Sequence, residues 1–282
     1  MFFRLIFIAI LSAPYLLNAQ TLSDPVYVNY TLLPGSDNES IYFTEINAAL
    51  PPVRFSEKAV LYHTLYHRYT NFGDGVASVN SYFLQSLHDI RITPILRAQV
   101  SQRSELVFIS RLMVRSDLQQ RLSSRDLFAQ VVLLGNYSIS DRLKIGLGAA
   151  LNNDFERNRL IPIGSLNYTG RKFKVEIVYP NAHFLRTAGQ HVEYGLFMNV
   201  DGAISHSPGW LDNGHYIRTF QLLVAPALSY RVYKKLFLHV KSGVALGRTV
   251  EFLDHDFNAT SKVNLSDAWF IRAGFGLRLN NP

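Results

Sequence analysis

The chain has 282 residues, no cysteine, 13% aromatic residues, and a formal charge of +7 from 28 Lys plus Arg against 21 Asp plus Glu. The lack of cysteine excludes a disulfide-stapled exported domain and a lipid-anchored lipoprotein; a modest cationic excess without charge runs argues against a nucleic-acid partner. Only 17% of residues are charged, against about a quarter in an ordinary globular protein, so much of the surface faces something other than water.

Residues 1–19 place one cation, Arg4, before an apolar run from Leu5 to Leu17 and a small residue at Ala19. That is the layout of a secretory signal peptide cleaved near Ala19, leaving residues 20–282 as a single domain. Cleavage removes one arginine and no acid, so the mature chain carries +6. Beyond Ala19 no run of about 20 apolar residues occurs, which excludes a helical membrane protein. A closed β-barrel is the other structure that spans a bilayer.

From Val26 onward one unit repeats: a segment of alternating hydrophobicity, a short polar turn, a second such segment and a longer polar loop. Val26–Leu33 reads as a weak first strand. In YHTLYHRY, His63 and His67 fall on one face of a strand about 13 Å apart, too far for a shared metal ion, so no metal site is expected. LHDIRITPILRAQV and ELVFISRLMVRSD set Ile90, Ile92, Leu96, Leu106, Phe108 and Leu112 against Arg91, Arg97, Arg111 and Arg115. RLKIGLGAALNN opposes Leu143, Ile145 and Leu147 to Lys144, Gly146 and Gly148; a short pair follows at Phe173–Arg186, and HVEYGLFMNVDG opposes Leu196 and Met198 to Glu193 and Asp201. Pro94 and Pro226 lie on the apolar faces of their strands and read as local bends or bulges.

The last hairpin is the most regular. TFQLLVAPALSYRV and KLFLHVKSGVALG keep Leu222, Val224, Leu236, Leu238 and Val240 on one face and Arg231 and Lys241 on the other. EFLDHDFNATSKVN reads as a polar loop, with Asp254, His255 and Asp256 as a solvated cluster. WFIRAGFGLRL then places Ile271, Phe275 and Leu277 opposite Arg272 and Arg278. The sum is an all-β protein, a closed antiparallel transmembrane barrel of about 14 strands, with 12 as the rival count. Short turns would face the periplasm and long loops the outside.

On this reading Leu222, Val224, Leu236, Leu238, Val240, Ile271, Phe275 and Leu277 face lipid. The lumen receives Arg91, Arg97, Arg111, Arg115, Lys144, Lys174, Arg231, Lys241, Arg272 and Arg278 against Glu45, Asp89, Glu176, Glu193 and Asp201. Such an excess of fixed positive charge favours anions, unless the charges pair and plug the lumen. Arg272 and Arg278, six residues apart, would carry much of that preference. Ser229 and His239 face inward on adjacent strands with no third group to orient them, so no catalytic residues and no cofactor are expected.

The strict alternation, the Ala-Gln cleavage point and the aromatic closing strand resemble the uncharacterised outer-membrane β-barrel proteins of Bacteroidota-type bacteria over residues 26–279, although the chain ends Leu279-Asn280-Asn281-Pro282 instead of on an aromatic residue. The resemblance implies an outer-membrane location and contact with lipid, lipopolysaccharide and the barrel assembly machinery, and brings no reaction. The expected role is a narrow pore or small-solute transporter with a net basic lumen, or a structural barrel. The rival is a secreted or periplasmic soluble all-β binding protein, a lipocalin-like barrel or sandwich.

Overall fold

The computed structural model describes residues 25–34, 40–73, 86–152, 159–207 and 216–278. The signal-peptide segment lies outside these residues. Fifteen strands form one sheet: β1 (Val26–Leu33), β2 (Ile41–Arg54), β3 (Ala59–Phe72), β4 (Ser86–Gln99), β5 (Ser104–Ser116), β6 (Leu127–Ser138), β7 (Leu143–Asn152), β8 (Arg159–Thr169), β9 (Phe173–Val178), β10 (Asn181–Ala188), β11 (Val192–His206), β12 (Tyr216–Tyr233), β13 (Leu236–Leu253), β14 (Ala259–Asn264) and β15 (Ala268–Leu277). Each strand from β1 to β13 pairs antiparallel with its successor, β13 pairs with β15, and β15 pairs with β1 from Val26↔Leu277 to Leu32↔Ile271. The ring therefore closes with fourteen staves. β14 lies above β15 on the far half of β13, so residues 259–264, read from sequence as loop, extend the wall.

Alternation sorts the two faces. Outward Leu112, Leu147, Ile271 and Phe275 are exposed, while the inward residues Phe43, Leu223, Ala225 and Phe270 are buried. Exposed aromatics cluster at the wall ends, with Tyr137, Tyr194, Tyr230 and Tyr233 towards the short turns and Tyr30 and Trp269 towards the long loops.

Three of the short turns are built by one device. Ser56, Ser101 and Ser140 each accept backbone N–H groups two and three residues on, at 3.0–3.3 Å, in the sequences Ser-Glu-Lys, Ser-Gln-Arg and Ser-Asp-Arg. A side-chain oxygen thus substitutes for the missing ladder partner.

The prolines correct one expectation. Pro94 and Pro226 interrupt the ladder towards β5 and β13, where no pair is formed at these positions, but the register on either side is unchanged. Neither is a bulge. The shifts fall instead at Leu50/Val53, Phe220/Leu222, Arg231/Tyr233 and Phe252/Leu253.

Candidate functional site

The interior is divided. Arg68 on β3 reaches Asp201 on β11 in a two-pronged ion pair, Nη1–Oδ1 at 2.6 Å and Nη2–Oδ2 at 2.9 Å, and Gln221 Nε2 donates to the same carboxylate at 2.9 Å. β3 and β11 stand six staves apart on one side of the ring and eight on the other. A round barrel of fourteen strands about 4.8 Å apart and tilted about 40° would measure about 28 Å across. An arginine and an aspartate in contact span only about 13 Å between Cα atoms. The barrel is consequently pinched between these walls.

The upper half of β11 shows where the pinch goes. Ile204 belongs to the outward set by alternation, yet it is fully buried against Met113 of β5 and Phe128 of β6, which face inward. At the top His206 pairs in parallel with Ser116 of β5. His206 Nδ1 lies 2.9 Å from Asp126, and Ser207 donates to Asp117 at 2.9 Å. β11 thus crosses the mouth and separates two compartments.

The compartment bounded by β11–β13, β15 and β1–β4 is filled. Phe43, Phe197, Phe270, Leu223, Ala225 and Leu33 form one buried cluster. Arg272 donates to Thr31 at 2.8 Å and pairs with Glu45 at 3.5 Å, Tyr66 donates to Glu45 at 2.7 Å, and Asp89 takes both Arg91 and Arg115. Arg68 and Arg272 lie over the Phe43 ring, Lys241 over Phe197 at 3.9 Å, and Arg231 and Arg278 over Phe237. Arg278 also pairs with Glu193 at 2.7 Å. Buried charge requires such partners. Above the Arg68–Asp201 brace a small cavity remains, walled by polar residues including Asp89, Ser205, Gln221 and Arg248 and by apolar ones including Phe72 and Leu87.

The compartment bounded by β5–β10 is polar and wetter. Glu105 binds Arg97 at 3.0 Å and Lys144 at 3.2 Å, Arg111 donates to Gln130 at 2.7 Å, Ser165 donates to Asn136 at 3.2 Å, and Lys174 pairs with Glu176 at 2.8 Å. Gly146 is required here, since a Cβ would lie 2.2 Å from Asn136 Oδ1 and 2.3 Å from Ser165 Oγ. Lys144 and Lys174 retain 29% and 36% of their side-chain exposure, against 10% for Arg272 and 14% for Arg68.

The expected lumen residues therefore separate into two groups. Arg91, Arg115, Arg231, Lys241, Arg272, Arg278 and Glu193 belong to the filled side, while Arg97, Arg111, Lys144 and Lys174 line the wet side. Arg272 and Arg278, expected to dominate anion preference, are each held by a carboxylate. The expected lipid-facing residues stand on the outer face, with Ile271 and Phe275 about half exposed. Sequence reasoning missed Arg68 and Glu105; counting by two from His67 and Leu106 would have turned both inward.

Two other candidates resolve differently. His63 and His67 face outward, and His67 Nε2 lies 3.3 Å from His88 Nδ1 of the next strand in a stacked pair. Ser229 Oγ lies 2.8 Å from His239 Nδ1, whose ring stacks on Phe237. The 254–256 cluster is a folded turn: Asp254 Oδ1 accepts from the N–H groups of Asp256 and Asn258, each at 2.9 Å, and these bonds hold its carboxyl below the ordinary range.

A family profile described as a domain of unknown function, DUF6268, matches residues 58–278. The chain belongs to the DUF6268 family. No curated protein matches it in sequence. Among solved structures, the KdgM porin in complex with disordered oligogalacturonate covers 90% of this chain and 100% of its own at 12% identity and TM-score 0.40. The NanC porin covers 90% and 100% at 6% identity and TM-score 0.42, and LpxR from Salmonella typhimurium covers 89% and 99% at 7% identity and TM-score 0.34.

Proposed function

We propose that this chain is an outer-membrane barrel that passes small solutes, with a preference for anions, along the compartment bounded by β5–β10. The carrying observation is exposed positive charge: Lys144 and Lys174, which with Arg97 and Arg111 face Glu105 and Glu176, keep 29% and 36% of their side-chain exposure, while in the filled compartment Arg68, Arg91, Arg115, Arg272 and Arg278 are held by Glu45, Asp89, Glu193 and Asp201, and Arg231 and Lys241 lie over Phe237 and Phe197. Fixed cations between low-dielectric walls favour anion entry.

The outer face supports the membrane setting. Leu65, Ile90, Ile92, Phe108, Leu133 and Leu147 are exposed on the contiguous strands β3–β7, an apolar surface that a soluble lipocalin-like barrel or sandwich would turn inward. Lys58, Arg103, Arg142, Arg171, Lys172, Lys234 and Lys235 ring the short-turn end, suited to anionic phospholipid headgroups of a periplasmic leaflet. Lipopolysaccharide and the assembly machinery are the partners this setting implies, in a Bacteroidota-type envelope after signal-peptide cleavage near Ala19. We assign no reaction: Ser229–His239 sits beside the Glu193–Arg278 pair as a polar tie within the wall.

A planar-bilayer recording tests the reading. Small current steps with anion preference are expected; an inserted barrel that carries no ions, or prefers cations, would contradict it.

A further inference from the structure

The wall around the wet compartment is incomplete on one side. β9 has six residues and β10 eight, whereas a tilted strand needs about 9–11 to cross hydrocarbon. Pairing of β10 with β11 ends at Ala182↔Met198, and the Asn181 side chain closes the ladder by accepting the Val200 N–H at 3.0 Å. Above that point residues 200–205 of β11 pair with β12 on one side and, among the described residues, with no strand on the other. On the opposite flank β8 pairs with β9 only from Ser165↔Val178 downward. Among the described residues a window is left between β8 and β11.

Its position and lining point to an occupant. The outward row Tyr194, Leu196, Met198 and Val200 climbs β11, so the hairpin stops inside the apolar belt, not above it. Val178 shares a face with the buried, inward Ser165, yet it is 46% exposed, and Leu160 beside the opening is 73% exposed. At its upper end β11 packs instead on β5 and β6, through Ile204 against Met113 and Phe128. Below it lie Lys174 and Lys144. Unpaired backbone groups are not tolerated against hydrocarbon, so the unpaired edges of β8 and β11 must meet the water of the wet compartment, and the gap is a junction between lipid and water.

We propose that this window connects the outer leaflet with the wet compartment and admits an amphipathic anion with a single hydrocarbon chain, the chain lying against Val178 and Leu160 and the anionic head directed to the lysines. The inference rests on the membrane-inserted pore reading and names its solute class. Apolar continuity with the lipid belt selects the chain, and the local cationic excess selects the head.

The chain has no cysteine, so single replacements report single positions. Val178→Cys and Leu196→Cys are labelled with bimane in liposomes and quenched with doxyl-stearate or its uncharged methyl ester. The acid is expected to quench at Val178 several-fold more than the ester and to quench equally with the ester at Leu196. No quenching at Val178 would overturn the window, and equal quenching there by acid and ester would overturn the anionic head. Ion current measured on the same samples separates the readings: quenching without current sinks the pore and leaves the window, while current without quenching does the reverse.

Discussion

Arg68 and Asp201, 133 residues apart in sequence, join opposite walls of the barrel through two hydrogen bonds at 2.6 and 2.9 Å. Removing one partner leaves a buried charge without its counter-ion, and such losses cost about 3–5 kcal/mol. Arg68→Met or Asp201→Asn should lower the temperature at which the folded band disappears on heated gels. Arg68→Met combined with Asp201→Leu should recover part of the loss, because the walls already meet through Phe43 and Phe197.

The two faces of β13 should respond differently. Arginine at Leu238 or Val240 should cost about 2–4 kcal/mol near the bilayer midplane. Lys241→Gln forfeits the contact with Phe197 at 3.9 Å, about 1–2 kcal/mol when desolvated. Urea titration in vesicles measures both; equal costs would mean that the faces are exchanged.

Selectivity should follow the wet compartment. Neutralising Arg111, Lys144 and Lys174 together should reduce anion preference, whereas neutralising Arg272 with Arg278 frees Glu45 and Glu193 and should chiefly destabilise the filled side. Reversal potentials across a salt gradient distinguish the two sets. Their difference should shrink at about 1 M salt, where the Debye length is about 3 Å.

The strand order was legible because period-two alternation is a local property of sequence, and the fourteen staves follow from it. Pro94 and Pro226 deceived only in detail, since each lost ladder bond is confined to its own position. The division of the lumen was not legible. It depends on β11 meeting β3 and β5 across the ring, and nothing around Asp201 or His206 distinguishes a carboxylate braced against Arg68 from one facing water. The polar run 259–264 read as loop because its side chains are mostly exposed, although its backbone pairs with β13.

The junction of β5 and β11 should respond to acid. Burial raises the Asp126 carboxyl, but hydrogen bonds from the Ser123 backbone and from the Ser116, His206 and Ser123 side chains outweigh it and hold the group below its ordinary value. A carboxylate with a depressed folded value stabilises above its unfolded value of about 3.9 and loses that contribution as pH falls through the folded value. Limited proteolysis at residues 117–126 should therefore be slow at pH 7 and accelerate below about pH 4, and Asp126→Asn should be cleaved quickly at pH 7.

A membrane-spanning barrel requires its apolar outer face to meet lipid, and cell fractionation with carbonate extraction tests this most directly. The mature protein should sediment with outer membrane, remain there after carbonate, and change its gel mobility only on boiling. Recovery in the soluble periplasmic fraction would contradict the account.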